Sequence, residues 1–290
     1  MSLDKLCRKW MGYPVHRFLP RWDIPPEFAK TIYRFDSGPE WKEFIKSEGV
    51  EASPGVVMGR FDSDFAVSQL AEAAPQLPNV AGVFLGEVVK YYPSYPGDSK
   101  PILDYYPGLR QLQIRDAQTF SRSRHIGLRV LILEGARTGV SAIEELFSDC
   151  VFPNLEELEI WPNVHNPNET LALIEAFIES KPFPQLRVLR IRNYSLANEV
   201  ALLIAQSSFL SQLEVLDLSL GMFGDLGARA LLSNPETSNL IALDLRHHFM
   251  SFEMSERIGE LKEAGVILNV DPALEIEGEQ TITYPDWDEF

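Results

Sequence analysis

Few residues in this 290-residue chain are spaced for covalent or metal chemistry. His247-His248 beside Asp244 form the densest set of ligand-type side chains, and a zinc site is what they would suggest. Adjacent residues on a strand point to opposite faces, however, and no third His or Cys is placed to join them, so turn and capping roles are expected. Of the two cysteines, Cys150 precedes Val151-Phe152-Pro153, where a buried small hydrophobe is the usual occupant, and Cys7 is expected to be exposed in an N-terminal arm. Neither has an evident base, so a cysteine nucleophile is not indicated. No GxxxxGK[ST] or GxGxxG stretch offers a phosphate cradle. Carboxylate pairs such as Glu156-Glu157 discriminate nothing in so acidic a chain. The expectation is a protein that is not an enzyme and needs no metal or cofactor.

The elements that would position any site are set by the spacing LxxLxL, which occurs seven times. It reads Val80-Val83-Leu85, Leu109-Leu112-Ile114, Leu128-Leu131-Leu133, Leu155-Leu158-Ile160, Leu186-Leu189-Ile191, Leu213-Leu216-Leu218 and Leu240-Leu243-Leu245. First anchors lie 29, 19, 27, 31, 27 and 27 residues apart, the period of a repeat holding one strand and one helix. No single repeat can bury its own apolar face, so seven of them specify a stack. The fold class expected is α/β: a leucine-rich-repeat solenoid, a right-handed βα superhelix of horseshoe form with a parallel concave sheet.

Residues 1–54 are expected to form an N-terminal cap, 55–271 the solenoid and 272–290 an acidic, aromatic tail. Within the cap, the aromatic and proline-rich residues 1–35 should be irregular, Thr31–Phe35 a strand, and Ser37-Gly38-Pro39-Glu40 the start of a helix through Trp41, Phe44 and Ile45. Further helix starts are expected at Ser141, Asn166, Asn198 or Ser195, Asp225, and Ser251 or Ser255, with a closing strand over Val266–Val270. The proline-rich run Tyr91–Pro107 and the 19-residue unit should lack a full helix.

Strand alternation sends offsets 2, 4 and 6 of each repeat outward. Phe84 and Trp161 are then outward aromatics, and Glu159, Arg190 and Asp217 fall side by side on adjacent strands about 4.8 Å apart. One reading is a self-neutralising ladder that keeps the sheet soluble. The other is a polar recognition surface organised around Trp161 and flanked by Glu134 and Arg192, with Glu159, Arg190, Asp217, Asp244 and Arg246 contributing.

The block Leu216-Asp217-Leu218-Ser219 followed by Phe223-Gly224-Asp225-Leu226-Gly227-Ala228-Arg229-Ala230-Leu231 resembles the ribonuclease-inhibitor type of leucine-rich repeat. Together with Leu155–Trp161 and Leu243–Ser251 it is similar to an uncharacterised bacterial family of cytoplasmic leucine-rich-repeat proteins. That resemblance implies the fold and a bacterial cytosolic setting, and no catalytic residues. The asparagine frequent after the third apolar position would fall on Ala117, Ala136, Asn163, Tyr194, Gly221 and His248; only Asn163 fits, and His248 could substitute through a ring nitrogen.

With 26 Lys+Arg against 42 Asp+Glu the net charge is −16, which disfavours nucleic acid as a partner. Residues 1–35 carry +4 and the remainder −20, so an electrostatic contact between arm and body is one expectation and scattered surface charge the other. Two cysteines and no apolar run near 20 residues fit a soluble cytoplasmic protein without a membrane partner. The function expected is a non-enzymatic module or scaffold that binds a protein on the concave sheet, as a monomer or weak homo-oligomer. The alternative is a structural, self-associating protein that uses its termini or solenoid edges.

Overall fold

The computed structural model describes residues 9–18, 27–59, 63–86, 97–135, 137–162 and 165–271. The chain forms two compact units, Met1–Asn154 and Leu155–Phe290. In the first, β1 (Lys9–Trp10) pairs antiparallel with β2 (Tyr13–Arg17). From β2 the strands run parallel in chain order through β3 (Ile32–Phe35), β4 (Gly55–Met58), β5 (Gly82–Leu85), β6 (Gln111–Arg115) and β7 (Val130–Glu134). Helices α1 (Gly38–Ile45), α2 (Ser63–Ala73) and α3 (Lys100–Tyr105) connect β3 to β6, and α4 (Val140–Asp149) follows β7. The 19-residue unit between β6 and β7 contains no helix, as its length demands; a parallel bridge from Arg124 to Val151 secures it.

The second unit alternates strictly: β8 (Glu157–Ile160), α5 (Pro167–Ser180), β9 (Val188–Ile191), α6 (Ala197–Gln206), β10 (Val215–Asp217), α7 (Asp225–Ser233), β11 (Ala242–Asp244), α8 (Phe252–Gly259) and β12 (Ile267–Asn269). Each strand pairs parallel with the next, so Leu158, Leu189, Leu216, Leu243 and Leu268 form one column. Every residue of the seven LxxLxL triplets is at most 5% exposed, which places offsets 0, 3 and 5 in the cores and sends the alternating residues to the opposite face.

Two local expectations need correcting. Residues 9–17 are not irregular but a tight hairpin, because Met11 (φ 51°) and Gly12 (φ 82°) both adopt left-handed conformations that suit a two-residue turn. The run before Pro107 includes the short helix α3, with Pro101 tolerated in its first turn; Tyr91–Pro96 lie outside the described residues.

Helix starts follow the sequence signals unevenly. Asn166 and Pro167 open α5, and the Ser251 hydroxyl accepts the Met254 N–H at 3.3 Å to cap α8. Ser37 sits at the N-cap of α1 without a side-chain cap bond, while Glu40 accepts the Asp36 N–H at 2.8 Å. Ser141 is not a cap: α4 begins one residue earlier from Gly139, where an added Cβ would lie 2.9 Å from the Gln118 carbonyl oxygen. Helix α6 opens from Leu196 rather than Ser195 or Asn198.

The strands end in a turn with its own rule. Two residues past the third apolar position, Asp116, Gly135, Asn193, Leu220 and His247 all have φ between 54° and 103°. Gly, Asn, Asp and His are the residue types that enter this region most readily, whereas Leu220 does so at a strain of about 1–2 kcal/mol. The adjoining backbone groups are satisfied without an asparagine ladder. Asn198, inside α6, accepts from Gly224 N at 2.9 Å and Gly227 N at 2.8 Å and donates to Met222 O at 3.1 Å, so one side chain ties two repeats.

His248 acts as expected in the second unit: Nδ1 accepts from Met250 N at 3.1 Å and Nε2 donates to Asp271 O at 2.7 Å. His125 repeats the device in the first unit, accepting from Leu128 N at 2.9 Å and donating to Tyr106 O at 3.0 Å. Only the neutral ring with the proton on Nε2 satisfies both contacts.

Asn198→Ala should therefore lower stability by about 1–3 kcal/mol, read as the urea midpoint, because three backbone groups lose their partner; an unchanged midpoint would contradict the assignment. Burial holds both imidazoles below their ordinary pKa, so the unfolded chain protonates first as pH falls. Their contribution is complete above about pH 6.5 and drains below it. A His125→Gln, His248→Gln variant should lose less stability than wild type between pH 7.5 and 5.5, measured by urea unfolding.

Candidate functional site

The outward face of the second unit carries three rows of side chains. Nearest the strand starts lie Glu157, Val188, Val215, Ala242 and Ile267, all at least partly exposed. The middle row is Glu159, Arg190, Asp217, Asp244 and Asn269, register partners from β8 to β12. Past the strand ends stand Trp161, Arg192, Ser219 and Arg246.

A parallel sheet makes equivalent residues neighbours, so charges in one row must be compensated by adjacent strands. Arg190 pairs with Glu157 on β8 and lies 3.8 Å from Asp217 on β10. Arg192 reaches the same two strands, 3.2 Å from Glu159 and 3.5 Å from Asp217, and donates to the Ser219 hydroxyl at 3.2 Å. Each guanidinium is thus a bracket across three strands. Asp217 accepts the Ser219 N–H at 2.9 Å. Burial pushes its pKa up; Arg192 and the bonds from Ser219 oppose that, and Asp244 adds to it.

Trp161 is fixed by the same network. Its indole N–H donates to Glu159 at 2.7 Å, and the Arg192 guanidinium lies 5.3 Å from its ring centroid, within cation–π range. Arg246 grips Asp244 on its own strand through Nε, at 3.0 Å to both carboxylate oxygens, and through Nη2 at 2.8 Å. Asn269 donates to the same carboxylate at 3.3 Å. Seven of the eight residues selected from the sequence, counting Asp244 and Arg246, therefore belong to this unit's face. Glu134 lies in the first unit, where Arg115 pairs with it at 2.6 Å.

Phe84 corrects the reading of two outward aromatics. It faces outward on β5 but is 2% exposed, because Trp10 of the hairpin lies against it with ring centroids 6.0 Å apart. The covering residues are Trp10, Met11, Tyr13 and Val15: the sequence places Trp10 and Tyr13 in an irregular end cap, and Met11-Gly12 lacks the Asn-Gly or Asp-Gly pair that marks a two-residue hairpin. Elsewhere, Cys150 is buried and its thiol pKa is pushed up to about 11, chiefly by burial, so it stays protonated at neutral pH. Among the described residues no group of three His, Cys, Asp or Glu is placed to hold a metal ion, and no helix is long and apolar enough to cross a membrane. Cys7, Ala136, Asn163 and the tail 272–290 lie outside the described residues.

No family model and no curated protein matches the chain. Among solved structures it is similar to a Bacteroides fragilis protein determined by crystallography as a structural genomics target. The two share 21% identity at a TM-score of 0.70, over 80% of this chain and 68% of the other. At that identity the likeness establishes a shared α/β repeat fold and says nothing of activity.

The brackets make a sharp prediction for charge reversal. Arg192→Glu puts a carboxylate against Glu159 and Asp217, and should lower stability by about 2–4 kcal/mol in urea unfolding. Arg246→Ala, which frees a single more exposed pair on one strand, should stay within about 1 kcal/mol. Equal small effects would mean that the network is only surface decoration.

Proposed function

We propose that this chain is a leucine-rich-repeat protein of the ribonuclease-inhibitor-like type, acting in a bacterial cytosol as a non-enzymatic platform. A protein partner docks on the outward face of the second unit. The observation that supports this reading is the pre-formed network around Trp161. The ring and the guanidinium of Arg192 are held by Glu159 and Ser219 before any partner arrives, so docking need not order them. Trp and Arg are the side chains over-represented at interface hot spots.

The chemistry also narrows the partner. Four carboxylates (Glu157, Glu159, Asp217, Asp244) face three guanidiniums (Arg190, Arg192, Arg246), leaving one negative charge beside the apolar row Val188, Val215, Ala242 and Ile267. A segment with an apolar edge and a basic residue complements that surface. Residues suited to contact are Trp161 and Arg246, while Arg190 and Arg192 serve mainly to hold the face together.

Self-association is a second reading, favoured by a separate observation. Ile241, just before β11, and Ile267, which opens β12, are 53% and 60% exposed, and Phe252 at the start of α8 is 81% exposed. The two readings separate experimentally. Trp161→Ala should weaken capture of a native-source partner about 30-fold or more, as for a hot-spot residue, with the urea midpoint little changed. Phe252→Lys, outside the docking face, should leave capture intact. If Phe252→Lys instead dissociates an oligomer in sedimentation and Trp161→Ala changes nothing, self-association replaces the platform.

A further inference from the structure

In the first unit, β4 and β5 both begin with glycine, and Gly55 and Gly82 are register partners. The next strands carry Gln111 and Val130 at the same offset. Glycine weakens a strand and often marks a place where another group comes close. A Cβ on Gly82 would overlap the Met11 sulfur and come within 2.9 Å of the Trp10 ring, and a Cβ on Gly55 would lie 3.4 Å from that ring. The paired glycines make a notch, and the hairpin tip fills it.

The hairpin reaches the notch by folding over the sheet. Trp10 touches Phe84 on β5 and donates its indole N–H to Gln113 on β6 at 2.8 Å. Those strands are three and four places beyond β2, about 14–19 Å away at 4.8 Å per strand. An in-plane β1 could not make these contacts. Trp10, Ile32, Val57 and Phe84 form one buried cluster, with Met11, Tyr13 and Val15 packed on it.

Beyond β2 the tip is held to the sheet by the side chains of Trp10 and Met11, with no ladder of its own to β3. β2 is held by its parallel ladder to β3, and Arg17 at its end is anchored to Glu40 at 2.6 Å. β1 spans two residues paired with β2, and Lys9, Gly12, Pro14 and His16 are exposed. A two-stranded ribbon has little stability of its own, so the seat of the tip depends on Trp10 and Met11.

We propose that the Gly55/Gly82 notch is a binding site for an aromatic side chain presented on a β-hairpin tip. Trp10-Met11 is its resident occupant, and the chain's own hairpin shields the site from a partner hairpin of the same chemistry: aromatic, then a flexible apolar residue, then glycine. This inference stands on the first unit and does not require the platform proposed for the second.

The probe is a labelled, backbone-cyclised peptide of residues 9–17, added to the full-length chain. Wild type should bind it weakly, because the site is filled. A Trp10→Ala, Met11→Ala variant should bind it at least 10-fold more tightly, and adding Gly82→Val should erase that gain. Equal binding by wild type and the emptied variant, or a gain that survives Gly82→Val, overturns the proposal. Should the emptied variant fail to fold, amide hydrogen exchange of wild type decides. Exchange at residues 10–13 ahead of the β4–β5 ladder supports a removable tip, and exchange of both only together, at the rate of global unfolding, overturns it.

Discussion

In-register stacking of apolar columns governs everything else in this protein. Once Leu158, Leu189, Leu216, Leu243 and Leu268 are aligned on successive parallel strands, every other residue's neighbours are set as well. Outward residues one position past each column residue meet their counterparts whether or not their charges agree. Arg190 between Glu159 and Asp217, with Arg192 reaching Asp217 and Arg246 folded onto Asp244, is the electrostatic solution to a constraint imposed by the core. Arg190 and Arg192, each spanning two flanking strands, turn that solution into a brace. The same geometry that makes the surface polar makes it rigid, and rigidity suits a docking surface.

The two units use the outward face differently. The first places glycines, Phe84 and Val57 there and closes the surface with its own hairpin. The second places paired charges and a half-buried tryptophan there, with Glu159, Asp217 and Asp244 buried within the network. Apolar outward positions need a cover to escape water, whereas a compensated charge ladder does not. Composition of a single row thus decides which face needs an apolar cover and which carries a charge network.

Much of this was legible in the sequence because parallel stacking is periodic. The LxxLxL spacing located seven strands, and simple alternation put Glu159, Arg190 and Asp217 side by side. The turn rule is written in residue types as well, since Asp116, Gly135, Asn193 and His247 tolerate a left-handed backbone, and only Leu220 among these five turn residues gives no such signal. What could not be read was non-periodic. Trp10 meets Gln113 across more than a hundred residues, a contact no spacing encodes. Asn198 caps no helix of its own and serves the next repeat. The loss of surface from Phe84 follows from that hairpin, so its outward register was right and its exposure wrong.

The central claim is that the hairpin closes the first unit's outward face, whereas Trp161 on the second unit's face stays half-exposed. Oxidative footprinting of the full-length protein by mass spectrometry, scored at individual side chains, tests it most directly. Trp161 should label readily in the folded protein while Trp10 and Phe84 are protected. Ready labelling of Trp10 and Phe84 in the folded protein, or protection of Trp161 equal to theirs, would contradict the account.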